Sequence, residues 1–113
     1  MDGTLPLGPW LVTRDEVPDP HSLDIELKVN GETKQKSNTG NLVFDVNRLV
    51  DFVSHLITLE PGDILLTGTP GGVGVARDPQ EFLQEGDTVT ISVDQVGVLE
   101  NVVKNEAKAE VHV

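Results

Sequence analysis

The sequence predicts a strand-dominated α+β domain with one main helix. Three observations point there. Residues 23–30 alternate apolar and polar side chains, and only residues 45–58 carry apolar side chains at helical spacing. Aromatic residues make up 4% and tyrosine is absent, so Val, Leu and Ile must build the core, which favours strands. The 113 residues suit one domain, 1–113, and an apolar share of 37% supports a modest core.

Residues 1–22 read as irregular. Prolines stand at 6, 9, 18 and 20, and only Trp10–Thr13 suggests a short strand. In Leu23–Asn30, Leu23, Ile25, Leu27 and Val29 alternate with Asp24, Glu26, Lys28 and Asn30, the pattern of a half-buried strand. Asn30-Gly31 signals a tight type I′ hairpin. The return arm, Glu32–Ser37, is polar and expected to be exposed, with a further turn at Ser37–Gly40.

The helix spans Asp45–Thr58. Asp45 suits the N-cap, and Phe44 and Leu49 occupy staple positions across it. Val46, Leu49, Val50, Val53, Leu56 and Ile57 form one apolar stripe, which Pro61 and Gly62 bring to an end. A short internal similarity follows. "LEPGDILLTG" at 59–68 and "LQEGDTVTIS" at 83–92 share Leu-x-x-Gly-Asp before an apolar-rich run. Gly62 and Gly86 can each supply the positive φ of a turn that launches a strand, and Asp63–Leu66 is the first strand so launched. "SVDQVGVLENVV" reads as a hairpin and Ala109–Val113 as a terminal strand or tail, for about seven short strands in all.

The formal net charge of −11 disfavours nucleic acid and anionic membranes as partners, and high-salt adaptation is another source of such acidity. With no cysteine, disulfides and thiolate metal sites are excluded. No signal-peptide pattern opens the chain and no apolar run reaches a membrane span, so a cytoplasmic location is the expectation.

The histidines, His21, His55 and His112, fit no metal-ligand spacing. Asp24 and Glu26 share one face of a strand, an arrangement that can hold Mg²⁺, but Lys28 continues that face and the wet side of an amphipathic strand explains it better. No nucleophile elbow surrounds Ser22, Ser37, Ser54 or Ser92. In "DILLTGTPGGVG", Asp63–Gly74, no Lys-Ser or Lys-Thr follows the glycines, and no third glycine opens a helix, so it is neither a phosphate loop nor a dinucleotide fingerprint. A wide surface turn accounts for its glycines. Its threonine hydroxyls and bare backbone can equally donate hydrogen bonds to a carboxylate or oxyanion.

"PLGPW" at 6–10, the block at 23–74 and "LQEGDTVTISVDQVGVLEN" at 83–101 together resemble the C-terminal part of the fumarylacetoacetate hydrolase family. Asn30-Gly31, Gln35, Pro61-Gly62-Asp63 and Thr67-Gly68-Thr69-Pro70 fall in that family's order. The resemblance implies a mixed β-roll, a homo-oligomer, and action on small oxo-acids or diketo-acids by hydrolysis, decarboxylation or isomerisation. It also implies a Mg²⁺ or Mn²⁺ ion that polarises substrate oxygens. The family's Glu-x-Glu and Asp ligands, its His-Glu dyad and its lysine all stand upstream of Met1-Asp2. This chain is therefore expected to hold neither metal ligand nor catalytic residue, and to work with a missing N-terminal half. Its own contribution by resemblance is substrate binding by Thr69, with Thr67, Gly68 and Pro70, while Gln35 has no assigned role. The alternative is a non-catalytic β-rich binding or assembly module. A piece of a larger roll is also expected to expose a strand edge and an apolar patch.

Overall fold

Asn30 and Gly31 take φ of 51° and 82°, the left-handed backbone that a type I′ turn demands. They fold β1 (Asp24–Val29) back onto β2 (Glu32–Asn38). Asn30 does more than turn. Its amide donates to Asp87 at 2.8 Å, and its side-chain oxygen accepts the Thr88 N–H at 2.9 Å. It thereby pins the hairpin to the start of β3 (Thr88–Val93), which continues through a second hairpin into β4 (Gly97–Val102).

The structure is a computed structural model and describes residues 3–105. The sheet order is β2-β1-β3-β4, with every pair antiparallel. The chain thus adopts the expected strand-dominated α+β fold. The parallel pairing that a mixed roll would add is not found among the described residues. The expected segment Ala109–Val113 lies outside them.

Helix α1 (Val46–Leu56) occupies the expected place, with Asp45 as its N-cap accepting the Arg48 N–H at 2.7 Å. His21 supplies a second cap, because its Nε2 accepts the Val46 N–H at 3.0 Å. Two of the four orphan donors of the first turn are thereby satisfied, one of them from a residue that precedes β1. Of the predicted stripe, Val46, Leu49 and Val53 are half-buried, whereas Val50, Leu56 and Ile57 remain exposed.

Two expected strands are corrected. Trp10–Thr13 and Asp63–Leu66 take no regular secondary structure, because neither has a ladder partner among the described residues. Trp10 is instead anchored by its side chain: its indole N–H donates to the Val96 carbonyl at 2.6 Å, and its ring lies over Gly97. The turns at Glu60–Asp63 and Gln84–Asp87 are alike, as the internal similarity predicts. In each, the aspartate side chain accepts the first residue's N–H, at 2.8 Å and 2.7 Å respectively. Only the second turn launches a strand.

Apolar exposure is extensive. Leu23 is the one buried apolar side chain among the described residues, while Ile64, Leu66, Phe82 and Leu83 are all more than half exposed.

Candidate functional site

The pairing of β1 with β2 slips by one residue. Leu27 faces Gln35 but Lys28 faces Thr33, so Lys34 is an extra residue without an opposite number. Such a bulge breaks the alternation and re-aims the residues beside it. The carbonyl of Lys34, released from the ladder, turns toward the loop that follows Pro70. There it accepts a hydrogen bond from Arg77 Nη2 at 2.5 Å, while Arg77 Nε donates to the Gly72 carbonyl at 3.0 Å. Lys34 Nζ meets Glu81 at 2.8 Å and Glu32 at 3.0 Å. The Glu81 carboxyl is held below its usual range, first by the hydrogen bond from Lys34 and then by the charges of Lys34 and Arg77. Lys34 is raised, mainly by its bonds to Glu81 and Glu32. The loop from 72 to 81 is thus fastened to the bulge. The return arm is accordingly not the exposed strand its polarity predicted, since Lys34 and Gln35 are half-buried.

Gln35 makes the contact closest to the predicted substrate residues. Its Nε2 donates to Thr69 Oγ1 at 3.0 Å and to the Pro70 carbonyl at 2.7 Å. Two cavities flank this junction on one face of the sheet. The larger, about 710 Å³, runs under residues 72–83 between Leu27, Val29, Val73, Val75, Phe82 and Val89. Its two cations, Lys34 and Arg77, are both committed to Glu81. The smaller, about 290 Å³, is lined by Thr67, Gly68, Thr69 and Pro70 on one side. Facing them are the polar turn Ser37–Asn41 and the apolar Ile25, Phe44 and Leu49.

The smaller cavity suits a small organic acid better. Its walls offer hydroxyls and backbone at the loop and apolar surface elsewhere, and no Asp or Glu lines it, although the chain carries 19 acidic residues. Gly68 takes φ of 99° between the two threonines, a left-handed backbone that glycine adopts without strain. Thr67, Gly68, Thr69 and Pro70 therefore share one cavity wall. Gln35, whose role the sequence did not assign, stands behind them. Nothing in its neighbourhood in sequence signals this, because the bulge that places it leaves no mark on composition.

The other candidates stay apart. His55 is exposed on α1, and His21 serves as the helix cap. Asp24 accepts from Asn38, and Glu26 from Thr33 with Lys28 beside it, so the shared face of β1 is satisfied locally. The Glu26 carboxyl is lowered chiefly by the Thr33 hydroxyl. Among the described residues no three His, Asp or Glu side chains gather in a way that could hold a metal ion. The described residues thus offer no ligand set for the ion that the family resemblance implies.

The family model described as fumarylacetoacetate hydrolase, C-terminal, matches residues 1–104. A mitochondrial oxaloacetate tautomerase of Bos taurus is 53% identical over 101 residues, covering 89% of this chain and 32% of its own length. The fumarylacetoacetate hydrolase of psychrophilic Exiguobacterium antarcticum superposes with a TM-score of 0.90 at 42% identity, over 94% of this chain and 38% of that one. The maleylpyruvate hydrolase of Sphingobium sp. SYK-6, solved with manganese(II) and pyruvate, gives 0.76 at 43% identity, over 84% and 33%. The chain thus spans about a third of the length of the curated relatives it matches.

Proposed function

The chain belongs to the fumarylacetoacetate hydrolase family, and from that premise we propose that it supplies the substrate-side wall of an enzyme acting on small oxo-acids or diketo-acids. Relatives are named as tautomerase, hydrolase and isomerase, and the step proposed for this site is chemistry beside a carbonyl, where an enolate-like charge develops. The observation that carries the reading is the shared wall: Thr67, Gly68, Thr69 and Pro70 line one cavity of about 290 Å³ free of acidic side chains. Thr69 binds the acid and the neighbouring Thr67 and Gly68 shape its seat. An N-terminal half outside these 113 residues would hold the Mg²⁺ or Mn²⁺ ion and supply the proton-transfer groups, and the exposed apolar surface would serve contacts with that half and within a homo-oligomer.

The test is a titration of the purified chain with pyruvate and with oxalate, followed by the backbone amide signals of residues 67–69. Saturable shifts confined to those residues and to 37–41 are expected. Shifts centred instead on residues 72–83 would move the site to the larger cavity. No saturable shift with either acid would defeat the proposal and favour a non-catalytic β-rich binding or assembly module.

A further inference from the structure

The amide of Gln35 decides which way the Thr69 hydroxyl can act. A carbonyl oxygen carries no hydrogen, so the Pro70 carbonyl, 2.7 Å away, requires the nitrogen of the Gln35 amide to face it. That same nitrogen has a second hydrogen, and Thr69 Oγ1 lies 3.0 Å from it. The hydroxyl therefore accepts from Gln35. Its own hydrogen is left to be donated elsewhere, and the cavity that Thr69 lines has no Asp or Glu to take it.

The placement is built in by the backbone. Gln35 lies opposite Leu27 on the cavity face of the sheet, next to the bulged Lys34 whose carbonyl Arg77 holds. The loop cannot drift from β2 without breaking these bonds together.

We propose that Gln35 is a positioning residue that fixes Thr69 Oγ1 as a hydrogen-bond donor to the carboxylate of a bound oxo-acid, and so sets the preference for the acid over its neutral amide. This rests on the site assigned above. A donor held in place by an upstream donor needs no reorientation when an anion arrives, and hydrogen bonds to charged acceptors are the stronger kind.

The experiment compares the dissociation constants of pyruvate and pyruvamide for the full chain and its Gln35→Leu variant. The wild type should prefer pyruvate. Gln35→Leu should weaken pyruvate about tenfold while pyruvamide changes much less. Equal weakening of both ligands, or of neither, overturns the inference while leaving the site in place. If the wild type binds neither ligand, the site assignment itself fails and the inference falls with it, a result read before any substitution is made. Should Gln35→Leu fail to fold, Gln35→Glu carries the test. An ionised carboxylate cannot donate to Pro70 or Thr69, so the preference for pyruvate should fall as pH rises through the ordinary glutamate range, about 4.3. The wild type should keep a constant preference there. A constant preference in Gln35→Glu overturns the inference.

Discussion

Gly72 lies so close to the carbonyl of Lys34 that a Cβ on it would overlap that oxygen. Gly72 and Gly74 in the run after Pro70 are therefore explained by backbone lying against backbone, Gly74 against the Glu81 carbonyl and Gly72 where the bulge in β2 turns the Lys34 carbonyl toward the loop. Gly72 also holds φ of 103°, so Gly72→Ala meets both a clash and an unfavourable backbone conformation. It should lower stability by about 2 kcal/mol or more, whereas Gly71→Ala, with open space at its Cβ, should cost about 1 kcal/mol or less. Urea unfolding of the two variants checks this. Equal costs would mean that the loop is not packed on β2 in solution.

The ion pairs at the bulge predict a stability window. Glu81 is depressed below its ordinary 4.5, mainly by Lys34, so its contribution is complete above that value and is lost as pH falls through the lower folded value. Lys34 is raised above its ordinary 10.5, so its contribution is complete below that value and is lost as pH rises through the higher folded one. Lys34→Met should thus lie furthest below the wild type in stability between the two ranges, and the gap should narrow in acid and in strong alkali. Melting temperatures across pH for both proteins decide it. A gap independent of pH would assign the effect of Lys34 to its alkyl chain packing instead.

Thr69→Val keeps the shape of the side chain and removes the hydroxyl. Gln35 would retain the Pro70 carbonyl as a partner, so the loop should stay in place and stability should change by less than about 1 kcal/mol. Pyruvate binding should weaken about tenfold or more. Calorimetric titration against a thermal melt separates the two effects. Unchanged binding would remove Thr69 from the site.

What the sequence shows of this fold is its local chemistry. The Asn30-Gly31 turn, the Asp45 cap and the paired Gly-Asp turns each arise from a few adjacent residues, and each forms as expected. The strands expected at Trp10–Thr13 and Asp63–Leu66 fail because strand propensity becomes a strand only beside a partner, which residue spacing does not supply. The site divides in the same way. Thr67–Pro70 stands out as bare backbone between hydroxyls, but the role of Gln35 depends on a one-residue slip between β1 and β2 that alternation cannot reveal.

The paired turns allow that distinction to be tested. Gly62 and Gly86 hold φ of 101° and 92°, and neither has an atom near the position of an added Cβ. The cost of alanine at either position is then purely conformational, about 1 kcal/mol or more, and should be equal within about 0.5 kcal/mol. Asparagine, which tolerates the left-handed region, should cost less at both positions. The aspartates that follow should behave differently. Asp63 serves its own turn, accepting the Glu60 N–H, whereas Asp87 also accepts from Asn30 and is lowered by both Gln84 and Asn30. Asp87→Ala should therefore destabilise more than Asp63→Ala, and the difference should shrink when Asn30 is replaced by glycine, which keeps the hairpin turn but drops the bond. Chemical unfolding of the six single variants at Gly62, Gly86, Asp63 and Asp87, of Asn30→Gly, and of Asn30→Gly combined with each aspartate variant measures these differences. If Gly86→Ala proves far costlier than Gly62→Ala, the strand that follows, and not the turn, sets the price of the glycine.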